Sequence, residues 1–229
     1  MLLDSGRYGA GRARMQWAMG WVLLLLVAAW ARPAAAQAAP AAAPAKGART
    51  VLVMGDSLSA AYGLAPAQGW VALTTDKLAK AKPGWKMVNA SVSGETTAGG
   101  ASRIAAELQR HRPAVVVIEL GANDGLRGLP LAQTRANLDR MVKASRAAGA
   151  KVLLIGMRMP PNYGPEYTRG FEENYRVLAA QHKAALLPFL LEPIALDRNA
   201  YQADNLHPTA AAQPRLRDHV WKALEPLLE

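Results

Sequence analysis

The sequence predicts an α/β fold, a doubly wound parallel sheet covered by helices on both faces, and three observations carry that prediction. Short β-type apolar runs alternate along the chain with longer segments whose apolar residues recur at helical spacing. The short runs are apolar without strict alternation, the pattern of strands buried on both faces rather than one. Several of them end in polar clusters, and ligands in open parallel sheets bind at the C-terminal strand ends.

The elements follow in order. Val51, Leu52, Val53 and Met54 form the first strand, and Trp70, Leu73 and Leu78 set the period of a helix over 69–81. A short strand over 86–89 is followed by a helix over 101–110 carrying Ala101, Ile104 and Leu108. A third strand covers 115–120, and the helix over 131–148 presents Leu138, Met141 and Val142. A fourth strand spans 152–157, and Phe171, Tyr175 and Leu178 mark a helix over 167–181. A weak fifth strand at 185–187 precedes a last helix over 211–227. No internal repeat is present.

The first strand runs into Gly55-Asp56-Ser57-Leu58-Ser59, which puts a serine at the edge where such sheets bind ligands. A Gly-Asp-Ser turn also serves to cap a helix, so the serine needs partners before it reads as a nucleophile. Asp204-Asn205-Leu206-His207-Pro208 offers them, with a carboxylate three positions before an imidazole and a proline that stiffens the turn. His111, His182 and His219 sit in helical, charged contexts and suit surface or helix-end roles better. Ser93-Gly94 and Gly121-Ala122-Asn123-Asp124 complete the set: Gly94 leaves its backbone N–H open to a ligand, and Asn123 is an amide beyond the third strand. Each of these clusters is also compatible with an ordinary turn. Their shared position at predicted strand ends brings them to one edge.

These clusters, in this order, resemble the GDSL or SGNH hydrolase superfamily, and within it the bacterial multifunctional esterases of the thioesterase I, protease I and lysophospholipase type. Gly55-Asp56-Ser57-Leu58-Ser59-Ala60, Asn89-Ala90-Ser91, Ser93-Gly94, Asn123-Asp124-Gly125-Leu126-Arg127-Gly128, Pro161-Asn162-Tyr163-Gly164 and His207-Pro208 carry the resemblance over roughly residues 50–228. It implies a three-layer, flavodoxin-like SGNH hydrolase fold with a five-stranded parallel sheet. It implies Ser57 as nucleophile, His207 as general base and acid, and Asp204 as its supporting carboxylate. The implied oxyanion hole is formed by the Ser57 and Gly94 N–H groups with the Asn123 amide. Ala122 departs from the glycine usual in close relatives, and Asn205-Leu206 inside the acid–histidine turn is a second departure. Neither removes a functional group.

The chemistry suits these residue types in its own right. A serine hydroxyl needs a base to take its proton as it attacks a carbonyl, and neutral donors aimed in advance stabilise the resulting oxyanion. Leu126, Arg127, Gly128, Leu129 and Pro130 resemble a mobile loop lining the acyl groove, with Met157, Met159, Pro160, Pro161 and Tyr163 for the other wall. The expected activity is hydrolysis of acyl esters and thioesters, with lysophospholipid as a natural substrate. Three alternatives stay open: a deacetylase of envelope polysaccharide using the same groups, a non-catalytic binding module, and a nucleotide- or flavin-binding protein. The last lacks the glycine-rich pattern and lysine of a phosphate loop. No cofactor and no metal is expected, since no metal-ligand cluster is visible.

Composition bounds the rest. Of 229 residues, the first 36 read as a secretory signal peptide: Arg7, Arg12 and Arg14, an apolar run of 17–31, then Ala34 and Ala36 before a cleavage site. That run is shorter than the roughly 20 residues that span a bilayer. Residues 37–49 form an Ala/Pro-rich flexible leader, and 50–229 the catalytic domain. The chain has no cysteine, which excludes a lipidated N-terminus and any disulfide. Of the net charge of +10, residues 1–36 hold four arginines and one aspartate, leaving +7. No nucleic-acid motif accompanies this charge, so a periplasmic or secreted monomer with weak affinity for anionic lipid is expected.

Overall fold

The computed structural model describes residues 48–229. The signal peptide and nearly all of the leader lie outside the described residues. Five strands form one sheet: β1 (Arg49–Gly55), β2 (Trp85–Asn89), β3 (Val115–Glu119), β4 (Lys151–Ile155) and β5 (Ala185–Leu187). Their order is β2-β1-β3-β4-β5 and every pairing is parallel. This is the flavodoxin-like order, and the strand sequence reverses direction between β1 and β3. Residues 51–54 of β1 and all of β3 are fully buried, which explains why these runs are apolar without alternation. Arg49, read from sequence as the end of the leader, is the exposed first residue of β1, paired with Trp85.

The helices are α1 (Trp70–Ala81), α2 (Thr97–His111), α3 (Ala122–Leu126), α4 (Leu131–Ala147), α5 (Pro165–His182) and α6 (Gln213–Leu224). α1 packs against α6, while α4 lies between α2 and α5. The crossovers β1-α1-β2 and β2-α2-β3 run in opposite directions across the sheet. With right-handed crossovers, α1 and α2 therefore cover opposite faces. The apolar stripes predicted from spacing are largely the buried ones, including Trp70 and Leu78 of α1, Met141 of α4 and Phe171 of α5, whereas Leu73 of α1 is only partly buried.

Most boundaries shift from the sequence reading by one to three residues, and two helices differ more. α2 begins at Thr97, four residues before the predicted start, because Thr96 caps it by accepting the Gly99 N–H. α3, five residues long, is too short to show a period and reads as loop from sequence.

Candidate active site

Ser57 is the second residue after β1, in the turn that Asp56 organises. The Asp56 carboxylate accepts the Leu58 N–H at 3.0 Å, and its own carbonyl accepts the Ala60 N–H at 2.9 Å. The turn points the Ser57 hydroxyl at His207, whose Nε2 is 2.8 Å from Oγ although the residues are 150 positions apart.

The histidine loop is built from its own side chains. Asp204 Oδ1 accepts the N–H groups of Leu206 at 2.9 Å and His207 at 3.0 Å, an Asx turn that leaves Oδ2 free for His207 Nδ1 at 2.6 Å. Asn205 takes the left-handed conformation (φ 57°) that the turn requires and asparagine tolerates. Gln202 pins the loop by donating twice through its side chain, to the carbonyls of Tyr62 at 2.9 Å and Pro208 at 3.1 Å, while its own backbone carbonyl accepts the Asn205 N–H at 2.9 Å. The Tyr62 ring covers the imidazole at a centroid distance of 4.5 Å. Hydrogen bonds, led by the His207 and Leu206 N–H groups, hold the Asp204 carboxyl down at about 2, so it is an anion throughout the neutral range.

Gly94 lies in the loop between β2 and α2 with φ 78°, a conformation that favours glycine. That loop is anchored by Arg103, whose Nε donates to Glu95 at 2.6 Å. Among the described residues, neither the Ser57 nor the Gly94 N–H meets an acceptor. Asn123 begins its side-chain path in the first turn of α3, which Asp124 fastens to α2 by accepting the Thr97 N–H at 2.8 Å. Both Asn123 amide hydrogens face protein acceptors, Asp56 Oδ2 at 3.1 Å and the Glu95 carbonyl at 3.0 Å. An incoming oxyanion therefore competes for one of them. Ala122 sits buried at the start of α3.

Ser57, Gly94, Asn123 and His207 open into one cleft of about 910 Å³. Leu126, Met157, Met159 and Pro160 of the anticipated walls line it. Arg127, Gly128, Leu129, Pro130, Pro161 and Tyr163 do not. Arg127 instead donates to the Gly94 carbonyl at 3.2 Å, and Tyr163 to the Leu126 carbonyl at 2.9 Å, so both brace the lining from behind. Sequence reasoning missed Tyr62, Phe189, Leu191 and Leu196, which complete the apolar wall, and the cations Arg158 and Arg198. Phe189 and Leu191 follow the weak fifth strand, and their position at another strand end was the available signal.

Comparison with known proteins gives the family. The model of the GDSL-like Lipase/Acylhydrolase family matches residues 53–214, from β1 through the histidine loop. The chain is 54% identical over 181 residues to Esterase TesA of Pseudomonas aeruginosa, covering 79% of this chain and 90% of that one. It is 41% identical over 183 residues to Thioesterase 1/protease 1/lysophospholipase L1 of Escherichia coli K12, covering 78% and 85%. A crystal structure of the psychrotrophic esterase EstA from Pseudoalteromonas sp., inhibited by monoethylphosphonate, superposes with a TM-score of 0.75 at 42% identity, over 79% of this chain and 98% of that one. The chain thus belongs to the GDSL-like lipase/acylhydrolase family, carboxylic ester hydrolases of the SGNH type.

Proposed function

We propose that this esterase hydrolyses medium- and long-chain acyl esters and thioesters through a covalent acyl-enzyme on Ser57. The observation that carries the reading is the unbroken relay at the cleft mouth, Ser57 Oγ to His207 Nε2 at 2.8 Å and His207 Nδ1 to Asp204 Oδ2 at 2.6 Å. His207 takes the Ser57 proton as Oγ attacks the acyl carbonyl, and returns it to the leaving alcohol or thiol. Water, activated by the same imidazole, then releases the acid. Asp204 holds the ring and stabilises the imidazolium. The free N–H groups of Ser57 and Gly94 donate to the oxyanion, joined by Asn123 when the oxyanion takes over one of its two hydrogens.

The acyl chain occupies the apolar walls made by Leu126, Met159, Pro160 and Phe189. Methionine adapts to chains of several lengths, which supports broad specificity and a lysophospholipid among the natural substrates. That breadth is in keeping with the compound name of the Escherichia coli relative. The N-terminal 36 residues support export to the periplasm or beyond with cleavage after Ala36, and the catalytic domain then works as a monomer that needs no cofactor.

The test is hydrolysis of a p-nitrophenyl ester series from acetyl to palmitoyl by the mature protein, with Ser57→Ala as control. The expected result is an optimum beyond butyryl that disappears with Ser57. A profile confined to acetyl esters would instead favour a polysaccharide deacetylase.

A further inference from the structure

Two buried carboxyl groups lie directly beneath Ser57, and the roles assigned above leave one of them unused. Glu119 is the last residue of β3, fully buried, and in register with Gly55 at the end of β1. Its Oε2 is 2.6 Å from Ser59 Oγ and 3.4 Å from the Asp56 N–H. Its Oε1 is buried and meets no hydrogen-bond partner. Asp56 is equally buried but better served, with the Leu58 N–H on Oδ1 and the Asn123 amide on Oδ2.

Among the described residues, no lysine or arginine pairs with either carboxyl. The ionisable groups that bear on Asp56 are Glu95 of the β2–α2 loop and His207, Tyr175 of α5 faces both carboxyls, and of these only His207 is positive when protonated. A buried carboxylate oxygen without a donor costs several times more than a buried neutral carbonyl oxygen. Two adjacent buried carboxyls therefore carry one charge between them, and the better-hydrogen-bonded member keeps it.

We propose that Glu119 is a positioning residue that remains a neutral carboxylic acid, stays hydrogen-bonded to Ser59 Oγ through Oε2, and so leaves the single negative charge on Asp56, where it aims the Asn123 amide. Burial pushes both acids up, Asp56 to about 6, and repulsion from Asp56 raises Glu119 further. Gly55 fits this clamp. A Cβ there would stand 2.6 Å from Ser59 Cβ and Oγ and 2.9 Å from Glu119 Oε2, so the pair closes across a position that only glycine leaves open. The clamp joins the ends of β1 and β3, the two strands that deliver Ser57 and Asn123.

The inference rests on the reading of Ser57 as nucleophile and Asn123 as oxyanion donor. Its test is the pH dependence of kcat and KM for Glu119→Gln and Glu119→Ala, with infrared spectra of the parent and the Gln variant. An amide replaces a neutral acid without changing charge, so Glu119→Gln is expected to keep parental kcat and leave the acid limb of the pH profile in place. Glu119→Ala loses the clamp and is expected to lose about a hundredfold in kcat at unchanged KM. At about pH 8, above the ordinary carboxylate range, the parent should show a protonated-carboxyl C=O band that Glu119→Gln lacks. A Gln variant as inactive as the Ala variant, a Gln variant whose acid limb moves to lower pH, or a fully active Ala variant would overturn the proposal. So would a parent without the band, even if neither variant folds. Were the parent to show no Ser57-dependent turnover, the site reading would fail while the band still decided the state of Glu119.

Discussion

Asp204 and Asn123 are the residues whose removal should separate chemistry from folding. The Asp204 side chain is about one-third exposed, yet its folded-state pKa is depressed to about 2, first by the His207 and Leu206 N–H groups and then by the imidazole. A depressed carboxyl contributes stability above its ordinary value of 3.8 and loses that contribution as pH falls through about 2. Asp204→Asn should therefore lower the denaturation midpoint slightly at neutral pH, and parent and variant should converge as acid is added. Its effect on kcat should be much larger, about 10²-fold to 10⁴-fold, because the ring loses the carboxylate that fixes its tautomer. Kinetics and urea titrations across pH check both parts. Asn123→Ala should lose about 10²-fold to 10³-fold in kcat with little change in circular dichroism. Full turnover in that variant would remove Asn123 from the oxyanion hole.

The strand ends are the elements that assemble the site, and they tolerate little. Gly55→Ala drives a methyl into Ser59 and Glu119, and overpacking of that kind costs about 1–3 kcal/mol. The expected outcome is a lower urea midpoint together with reduced kcat, since the same shift moves Ser57. Equal midpoints for parent and variant would show that the β1–β3 clamp is soft. These elements were also the most legible part of the sequence. Strands buried on both faces write themselves as continuous apolar runs such as 115–119, and Ser57, Asn123 and His207 stand out as polar groups where those runs or the chain's last loop end. What stayed hidden has physical reasons. α3 is shorter than two helical turns, and Thr97, Gly99 and Gly100 disguise the start of α2 because small residues carry no apolar period. Phe189 and Leu191 face the cleft but look like core residues, since an acyl groove and a protein interior select the same side chains. Glu119 was read as one more position of a buried strand, because sequence does not say which strand residue meets the strand beside it.

At the scale of the whole molecule, the flavodoxin-like order leaves the β1 and β3 ends side by side, and the histidine loop closes over them from the far end of the chain. Among the described residues, no helix is long and apolar enough to cross a membrane. Residues 37–229 carry a net +7, and Arg158 and Arg198 stand at the cleft. Cosedimentation of Ser57→Ala with phosphatidylglycerol vesicles should show weak binding that salt abolishes, and none to phosphatidylcholine. Equal binding to both would mean that charge plays no part. The central claim, that Ser57 is a nucleophile activated by His207, is tested most directly by labelling the mature protein with an alkyl fluorophosphonate and mapping the adduct by mass spectrometry. One phosphonyl group per chain on Ser57, formed much more slowly in His207→Ala, is the predicted result. No adduct, or one on another residue, would contradict it.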